Sequence, residues 1–381
     1  MAADFATLEP IILEARRRLT QGAWDYLVGG TESETTLRQN RAGWDRWAFK
    51  PRVLVDVSDI DPSTTLLGHT LRIPVITAPI GGLDGIASSG TTVEVVGGMD
   101  RFIPGGAGLA VAATAEFGTL PVISSVAGHE MEEIAAAAPD SAKIFQMYVR
   151  GDFDWAAGMI ERMKAARYSA LVITVDTAVG SRRERPLLSI GANTPTGAAR
   201  TEVTPPTHRW PAKVTWESID RLRDMCGVPI LLKGIQTAED AALAVEHGAS
   251  VIWVSNHGGR QLDHARGTAD ALPEIVAAVA GRAEIVVDGG IHRGTDVLKA
   301  LALGANAVAI GKLQGWGLAA AGKDGLIRVL EILEAEIRES MALLGVSRID
   351  QLGPRYICPA IPVTPAHEMS SWPNIPGYRI L

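Results

Sequence analysis

Residues 229–255 read PILLKGIQTAEDAALAVEHGASVIWVS, a stretch that contains one complete strand–helix–strand unit. Its two ends, Pro229–Lys233 and Val251–Ser255, are short apolar runs without polar alternation, as is typical of parallel strands buried on both faces. Between them, Thr237–Asp240 resembles a helix capping box, and His247-Gly248 ends the helix. The stretch therefore predicts a β–α–β unit, the building block of parallel α/β folds.

The same alternation continues through most of the chain. Eight apolar segments are predicted strands: Ile73–Ala78, Leu120–Ser125, Lys143–Met147, Ala170–Val175, Pro229–Lys233, Val251–Ser255, Glu284–Asp288 and Ala307–Ile310. Helix-length segments with start and stop signals lie between the later ones. Eight strands that alternate with helices favour a closed (β/α)8 TIM barrel over an open sheet.

Some segments lie outside this repeat. The predicted divisions are an N-terminal helical lead-in over residues 1–60, the barrel over 61–352 and a C-terminal tail over 353–381. Within the barrel we predict insertions at about 83–102 and 185–215. The first lies in a Gly-rich stretch, 82–106, in which we expect no strand. The second is Pro-rich, and we expect it to form a lid-like excursion after the fourth strand.

Composition excludes several classes of protein. The 381 residues are 47% hydrophobic, and 36 Lys and Arg against 43 Asp and Glu give a net charge of −7. The apolar fraction predicts a sizeable core, and the acidic balance argues against a nucleic-acid or membrane partner. No apolar run reaches the roughly 18 residues of a membrane span. The two cysteines suggest neither a disulfide framework nor a metal site, so we expect a cytoplasmic protein.

Polar and ionisable groups follow five consecutive predicted strands. In a barrel of this type the C-terminal ends of the strands meet at one rim, where active sites lie. The groups at this rim are Asp176 and Arg183, Lys233, His257 and Arg260, Asp288-Gly289-Gly290, and Gly311-Lys312. Any one of them has a structural explanation, but five strands together favour an active site.

These groups suggest a specific chemistry. His257 stands before two glycines, so its imidazole would be presented to the cavity, and Asp176 would orient it. Arg183 and Arg260 form a fork suited to a carboxylate. The set predicts proton or hydride abstraction next to a carboxylate group, although His257 alone could be a hydrogen-bonded structural histidine.

Two further features point to a cofactor. Gly289-Gly290 and Gly311 leave backbone N–H groups accessible just before helix starts, as a phosphate requires. The alternative is that these glycines only make tight turns. Lys233, on a buried strand, is costly unless it meets an anion or an electron-rich ligand.

Residues 255–263, SNHGGRQLD, resemble the signature of the FMN-dependent α-hydroxy acid oxidase/dehydrogenase family, which includes glycolate oxidase, lactate oxidase, lactate monooxygenase and mandelate dehydrogenase. Further matches are PRVLVDV at 51–57, AP at 78–79, TVDT at 174–177, LKG at 232–234 and DGG at 288–290. The resemblance runs from about Trp24 to Leu352. It implies FMN as cofactor, a 2-hydroxy acid as substrate and a homo-oligomer, either tetramer or octamer.

The resemblance also implies roles for individual residues. The FMN site would comprise Pro79, Ile80, Gly81, Ser124, Gln146, Thr174, Lys233, Ser255, Asp288, Gly289, Gly290, His292, Gly311 and Lys312. The substrate carboxylate would be held by Tyr26, Arg183 and Arg260, and the hydroxyl region by Tyr148. His257, paired with Asp176, would be the base, and the product would be a 2-oxo acid. Without the resemblance, both tyrosines would be interpreted as half-buried packing residues.

The chain departs from the family at several positions near the expected cofactor. The family usually has arginine at His292 and Lys312, so we expect weaker FMN retention. Gly81 stands where oxidases often carry alanine, and the smaller residue is expected to open space near the flavin. Val126 replaces a bulky aromatic residue of glycolate oxidase, which predicts a roomier substrate pocket.

Other functions stay open at this point. A flavin enzyme of this type could decarboxylate its substrate oxidatively, as lactate monooxygenase does, or perform a specialised biosynthetic oxidation. A flavin-poor barrel kept for binding or assembly is a different class of protein, supported only by the changes at His292 and Lys312. A non-flavin phosphate-binding barrel, such as an aldolase, leaves His257 and the two arginines unexplained.

Overall fold

Eight parallel strands form the centre of the structure, a computed structural model that describes residues 5–87, 92–96, 99–103, 105–188, 210–363, 365, 367 and 369–372. The strands are β1 (Trp47–Phe49), β2 (Thr64–Leu66), β3 (His69–Leu71), β4 (Val75–Thr77), β5 (Thr92–Val96), β6 (Met99–Ile103), β7 (Val122–Ser124), β8 (Ile144–Met147), β9 (Ala170–Thr174), β10 (Ile230–Ile235), β11 (Val251–Val254), β12 (Glu284–Val287), β13 (Ala307–Ile310) and β14 (Ile357–Pro359). The helices are α1 (Leu8–Arg18), α2 (Gln21–Val28), α3 (Thr35–Asp45), α4 (Gly105–Phe117), α5 (Met131–Ala135), α6 (Phe153–Ala165), α7 (Glu184–Leu188), α8 (Trp216–Cys226), α9 (Ala238–Glu246), α10 (Thr268–Val279), α11 (Gly294–Ala302) and α12 (Lys312–Leu344).

The large sheet closes into a barrel. Its strand order is β4–β13–β12–β11–β10–β9–β8–β7, with parallel neighbours throughout. A parallel bridge between Thr77 and Pro121 joins the two end strands. Each of the eight predicted strands overlaps one of these strands, so the predicted (β/α)8 barrel is confirmed.

Alternate residues of the barrel strands face two different cores. The inward-facing apolar residues that fill the barrel include Ile76, Val122, Ile144, Val172, Leu231, Trp253, Val286 and Ala309. Their neighbours, such as Leu171 and Val287, pack outward against the helices. The β2–β3 hairpin adds Leu66 and Leu71 to the inner core and therefore closes the barrel at the end where the strands begin. A ligand site must lie at the opposite end.

The N-terminal helices pack against that opposite end. Trp44 of α3 donates from Nε1 to the carbonyl oxygen of Gly289 at 2.7 Å. Arg41, on the same helix, forms a buried ion pair with Asp296 of α11 at 2.7 Å. Because these contacts hold the loop after β12, α3 helps to shape the rim at which the sequence predicts the active site.

One prediction about the insertions is wrong. Residues 82–106 contain the antiparallel hairpin β5–β6, in which Val96 pairs with Met99. The sequence signal for this hairpin is a β-branched run, Thr92–Val96, followed by two glycines. The excess of glycine around it concealed that signal.

The other outlying segments are described in part. Most of the predicted excursion at 185–215 lies outside the described residues, which resume with a 3₁₀ turn at Trp210–Lys213. In the tail, β14 pairs with β1, and Met369 and Trp372 are buried. Among the described helices, none combines the length and apolar character needed to cross a bilayer.

Candidate active site

A layer of polar side chains lies at the open end of the barrel, just above the inner apolar core. Because strand side chains alternate, the position two residues after each inward-facing apolar residue also faces inward. On six neighbouring strands these positions hold Ser124, Gln146, Thr174, Lys233, Ser255 and Asp288, all of them buried. The structure therefore brings together six residues that the sequence predicts for the cofactor site.

Lys233 is the centre of a hydrogen-bonded network in this layer. Its Nζ lies 2.9 Å from Ser255 Oγ and 3.3 Å from Asp288 Oδ2. Ser255 Oγ donates to Asp288 Oδ1 at 2.7 Å, and Trp253 Nε1 donates to Asp288 Oδ2 at 3.0 Å. The carboxylate of Asp288 thus balances the buried ammonium, which is held rigidly at the top of the barrel.

Two buried atoms of the layer have no hydrogen-bond partner among the described residues: Gln146 Nε2 and Thr174 Oγ1. Ser124 Oγ donates to Gln146 Oε1 at 2.8 Å and so orients the amide. A buried polar group without a partner costs about 1–3 kcal/mol. These atoms indicate a polar ligand above the layer, and they suit the ring edge and hydroxyl groups of a flavin.

The loops after β12 and β13 continue this surface. The backbone N–H groups of Gly289, Gly290 and Gly311 donate to no described residue. Gly290 has φ +77°, and a Cβ there would lie 2.6 Å from the carbonyl oxygen of Asn40. Gly289 and Gly290 thus make a tight turn against α3. The N–H groups of all three glycines also suit a phosphate, so the two interpretations do not exclude each other.

His257 and Asp176 form a hydrogen-bonded pair at the rim. His257 Nδ1 donates to Asp176 Oδ1 at 3.0 Å, and the His257 backbone N–H donates to Ser255 Oγ at 3.0 Å. His257 has φ +59°, and the two glycines after it also have positive φ. Non-glycine residues in this region store about 1–3 kcal/mol of strain, a feature of functional sites. The bond at Nδ1 leaves Nε2 as the basic nitrogen.

The charge states of the pair follow from its surroundings. Burial lowers the pKa of His257 below its ordinary value, the charges of Lys233 and Arg183 act in the same direction, and Asp176 opposes them. For Asp176, burial acts to raise the pKa, but His257 and Lys233 hold it below its ordinary value. At neutral pH the pair is therefore a neutral imidazole beside a carboxylate, the state a general base requires.

A glycine permits this pair to form. Gly234, in β10, has φ +117°, and a Cβ on it would lie 2.7 Å from Asp176 Cβ and 2.9 Å from Asp176 Cγ. Any side chain at this position would displace the carboxylate. In the sequence, Gly234 is only the last residue of the motif LKG, which predicts no role for it.

Two arginines stand beside the pair without a carboxylate partner among the described residues. Arg183 donates from Nε to the carbonyl oxygen of Arg260 at 3.2 Å, and Arg260 donates from Nη1 to the carbonyl oxygens of Tyr26 and Gly29. Burial and the charge of Arg183 lower the pKa of Arg260 to about 9. Two adjacent guanidinium groups held only by neutral acceptors create a site for an anion.

The two predicted tyrosines border the same space. The guanidinium of Arg260 lies over the Tyr26 ring, 4.8 Å from its centroid, and Tyr26 Oη donates to the carbonyl oxygen of Gly81 at 2.9 Å. Burial and the charge of Asp176 raise the pKa of Tyr148 above its ordinary value. Tyr148 therefore keeps its proton and acts as a hydrogen-bond donor.

The loop after β4 corrects one expectation. Pro79, Ile80 and Gly81 follow the strand and are half-buried. A Cβ on Gly81 would lie 2.9 Å from Val126 Cγ2 and 3.4 Å from Tyr26 Oη. The expectation that Gly81 opens space is therefore wrong, because the side chain of Val126 fills it.

His292 lies in a buried aromatic environment. Its ring centroid is 4.6 Å from that of Trp372 and 6.1 Å from that of Trp316. Burial, together with the charges of Arg41 and Lys312, holds the pKa of His292 well below its ordinary value. The imidazole is neutral and brings no positive charge to the loop after β12.

Sequence reasoning missed further residues that hold the site. Asn256 Oδ1 accepts from Asn40 Nδ2 at 2.9 Å and from the Gly259 backbone N–H at 3.1 Å, which fixes the loop that carries His257. Trp253, inside an apolar run, orients Asp288. An amide and an indole next to catalytic positions are weak sequence signals.

Among the described residues, no group of three or more His, Cys, Asp and Glu side chains could hold a metal ion.

Comparison with known proteins relates this geometry to a family. A family model described as FMN-dependent dehydrogenase matches residues 15–359. An L-lactate oxidase from Nostoc sp. is 39% identical over 90% of this chain and 95% of its own length. A 2-hydroxyacid oxidase 2 from Rattus norvegicus is 38% identical over 90% of this chain and 95% of its own length.

Solved structures agree with the sequence comparison. A crystal structure of mandelate oxidase superposes with a TM-score of 0.82 and 34% identity, over 94% of this chain and all of the other. Together with the family match, these similarities show that the chain belongs to the FMN-dependent dehydrogenase family, whose cofactor is FMN.

Proposed function

We propose that this protein oxidises an (S)-2-hydroxy acid to the 2-oxo acid with FMN. The observation that carries the proposal is the His257–Asp176 pair beside Arg183 and Arg260, which have no carboxylate partner among the described residues. A scaffold protein has no physical need for two adjacent guanidinium groups that are held only by neutral acceptors. The named activities of the relatives, lactate oxidase and mandelate oxidase, support the same class of substrate.

In the proposed mechanism the substrate carboxylate binds to Arg183 and Arg260, with Tyr26 beside them. Tyr148 donates a hydrogen bond to the substrate hydroxyl region. His257 Nε2 takes the hydroxyl proton, and Asp176 stabilises the imidazolium that results. As the O–H electron pair becomes the second bond of the C=O group, the α-hydrogen and its bonding pair would leave the carbon as a hydride equivalent, for which FMN, when bound, would supply the two-electron acceptor.

The polar layer is proposed to hold the cofactor. Gln146, Thr174 and Ser124 would bond its ring and ribityl chain, and Lys233 would place a positive charge where electrons are taken up. The unpaired backbone N–H groups of Gly289, Gly290 and Gly311 would bind the phosphate, with Lys312 beside them. Pro79, Ile80 and Gly81 would contact the ring through the backbone.

The test is anaerobic reduction followed by visible absorption. Purified protein with FMN is mixed with glycolate, lactate or mandelate, each as both enantiomers where they exist. Bleaching of the flavin by an S acid is the expected result.

We propose that Val126 leaves room for a larger side chain in the substrate pocket, so mandelate should reduce the flavin faster than glycolate does. Fast reduction by glycolate without reduction by mandelate would contradict this.

Product analysis decides between the alternatives. A 2-oxo acid with hydrogen peroxide supports an oxidase, and a shortened acid with carbon dioxide supports oxidative decarboxylation. Bound flavin that no acid bleaches would indicate an unusual substrate, such as that of a specialised biosynthetic oxidation. Absence of flavin binding would favour a binding or scaffold role instead.

We further propose a homo-oligomer, tetramer or octamer, in the cytoplasm. Val53, Leu54, Ile361 and Val363 are exposed apolar side chains, and an interface between copies of the chain would remove them from water. Cys226 and Cys358 form no disulfide, as is usual in a reducing compartment. The molar masses of wild type and Leu54→Glu, measured by light scattering, test the assembly. Cell fractionation tests the location.

A further inference from the structure

The C-terminal tail returns to the barrel after leaving it. Beyond β14, Ile361 and Val363 are 88% and 98% exposed, whereas Met369 and Trp372 are only 6% and 1% exposed. The backbone N–H of Trp372 donates to the carbonyl oxygen of Met369 at 3.1 Å, which closes a turn. Residues 369–372 therefore form an ordered contact, here called the tail anchor.

The tail anchor packs on His292 and Trp316. The Trp372 ring lies 4.6 Å from the His292 ring and meets Trp316 edge-on at 5.5 Å, measured between centroids. Ser371 Oγ lies 3.4 Å from His292 Nδ1, and its carbonyl oxygen accepts from Arg293 Nη1 at 3.5 Å. Rings and hydrogen bonds together fix the anchor on this surface.

This surface is the phosphate end of the proposed cofactor site. His292 is two residues after Gly290, and Trp316 is one helical turn after Lys312 at the start of α12. The tail anchor thus contacts the loop after β12 and the second turn of α12, the helix that begins directly after Gly311. The residues of the tail anchor lie about 80 positions after His292 in the sequence.

Three polar atoms at this contact are buried and without a partner among the described residues: Trp316 Nε1, Trp372 Nε1 and Ser370 Oγ. Protein interiors rarely leave such groups unpaired. An indole N–H can only donate, so the missing partner is an acceptor. A phosphate offers acceptor oxygens.

We propose that the tail anchor is part of the FMN site, with Trp372 and Trp316 supplying indole N–H donors to the phosphate beside His292. This inference rests on the proposed function, because it requires FMN as the cofactor. Neutral N–H donors from the tail would then bind the phosphate in place of a charged side chain. FMN binding and docking of the tail are consequently coupled.

The test compares flavin affinities of the apoprotein by quenching of flavin fluorescence. Trp372→Phe keeps an aromatic ring and removes the N–H group, and Pro365→Ala, at an exposed tail position outside the proposed interface, is the control. The expected result is a dissociation constant for FMN raised about three- to tenfold, the net value of a neutral hydrogen bond. The constant for riboflavin, which lacks the phosphate, should not change.

Shortened chains give a second comparison. A chain that ends at residue 372 should bind FMN like wild type, and one that ends at residue 368 should bind it at least tenfold more weakly. In the shorter chain, His292→Arg should recover affinity, because a guanidinium can pair with the phosphate in the space left by Trp372.

The outcomes separate the inference from the proposed function. If Trp372→Phe binds FMN as wild type does, or loses FMN and riboflavin equally, the proposed phosphate contact is wrong. If wild type binds no FMN, both the proposed function and the inference fail. If wild type binds FMN but no 2-hydroxy acid reduces it, only the proposed substrate class fails, and the Trp372 comparison still decides the inference.

Discussion

Replacing Gly234 with alanine tests whether a close approach of backbone to side chain positions the catalytic pair. The new Cβ would lie 2.7 Å from Asp176 Cβ, whereas carbon atoms in contact lie about 3.5–4.0 Å apart, so Asp176 must move by roughly 1 Å. The bond from His257 to Asp176, now 3.0 Å, would then exceed hydrogen-bond length. Misplacement of this size costs about 10²-fold in rate.

The assay is anaerobic stopped-flow reduction of the FMN-loaded protein with a saturating 2-hydroxy acid. Gly234→Ala should reduce its flavin about 10²-fold more slowly than wild type, with FMN affinity unchanged. The alanine at φ +117° also carries about 1–3 kcal/mol of backbone strain, so thermal unfolding is measured in parallel.

Gly227→Ala is the matched control. Gly227 has φ +68°, and a Cβ there would meet no atom within 4 Å, so it introduces backbone strain without displacing Asp176. Its flavin should be reduced at the wild-type rate. A rate for Gly234→Ala within about threefold of wild type would show that Gly234 does not position Asp176, and an equal loss in both variants would assign the effect to stability.

Three further substitutions test the proposed roles. His257→Gln should slow flavin reduction by about 10²–10⁴-fold in stopped flow while equilibrium titration shows unchanged FMN binding; fast reduction would remove His257 from the mechanism. Asp176→Asn removes the negative charge that raises the pKa of His257. The pH below which kcat/KM falls, because His257 becomes protonated, should therefore decrease. An unchanged pH profile would contradict this. Arg183→Met should weaken substrate binding about 10–100-fold in titrations of the loaded enzyme and raise the pKa of Arg260, and an unchanged affinity would exclude Arg183 from the carboxylate site.

Much of the fold could be predicted because its signals are local. A buried parallel strand is a continuous apolar run, and a helix between two such runs has its own caps, so residues 229–255 predict one unit and its repetition predicts the barrel. The hairpin β5–β6 was missed because glycines around it weakened a signal that was present in Thr92–Val96. Nothing in the sequence around Gly234 distinguished it from an ordinary turn residue.

Chain order and side-chain alternation are enough to place His257, Asp176, Lys233 and Arg260 at the ends of the strands. Which of these residues touch depends on how the strands and loops pack in three dimensions. Asp176 bonds to His257, which lies 81 positions later in the sequence, because Gly234 has no side chain that would displace the carboxylate. Trp372 packs on His292, which lies 80 positions earlier. Contacts between distant parts of the chain depend on packing of the whole barrel, which no local pattern encodes.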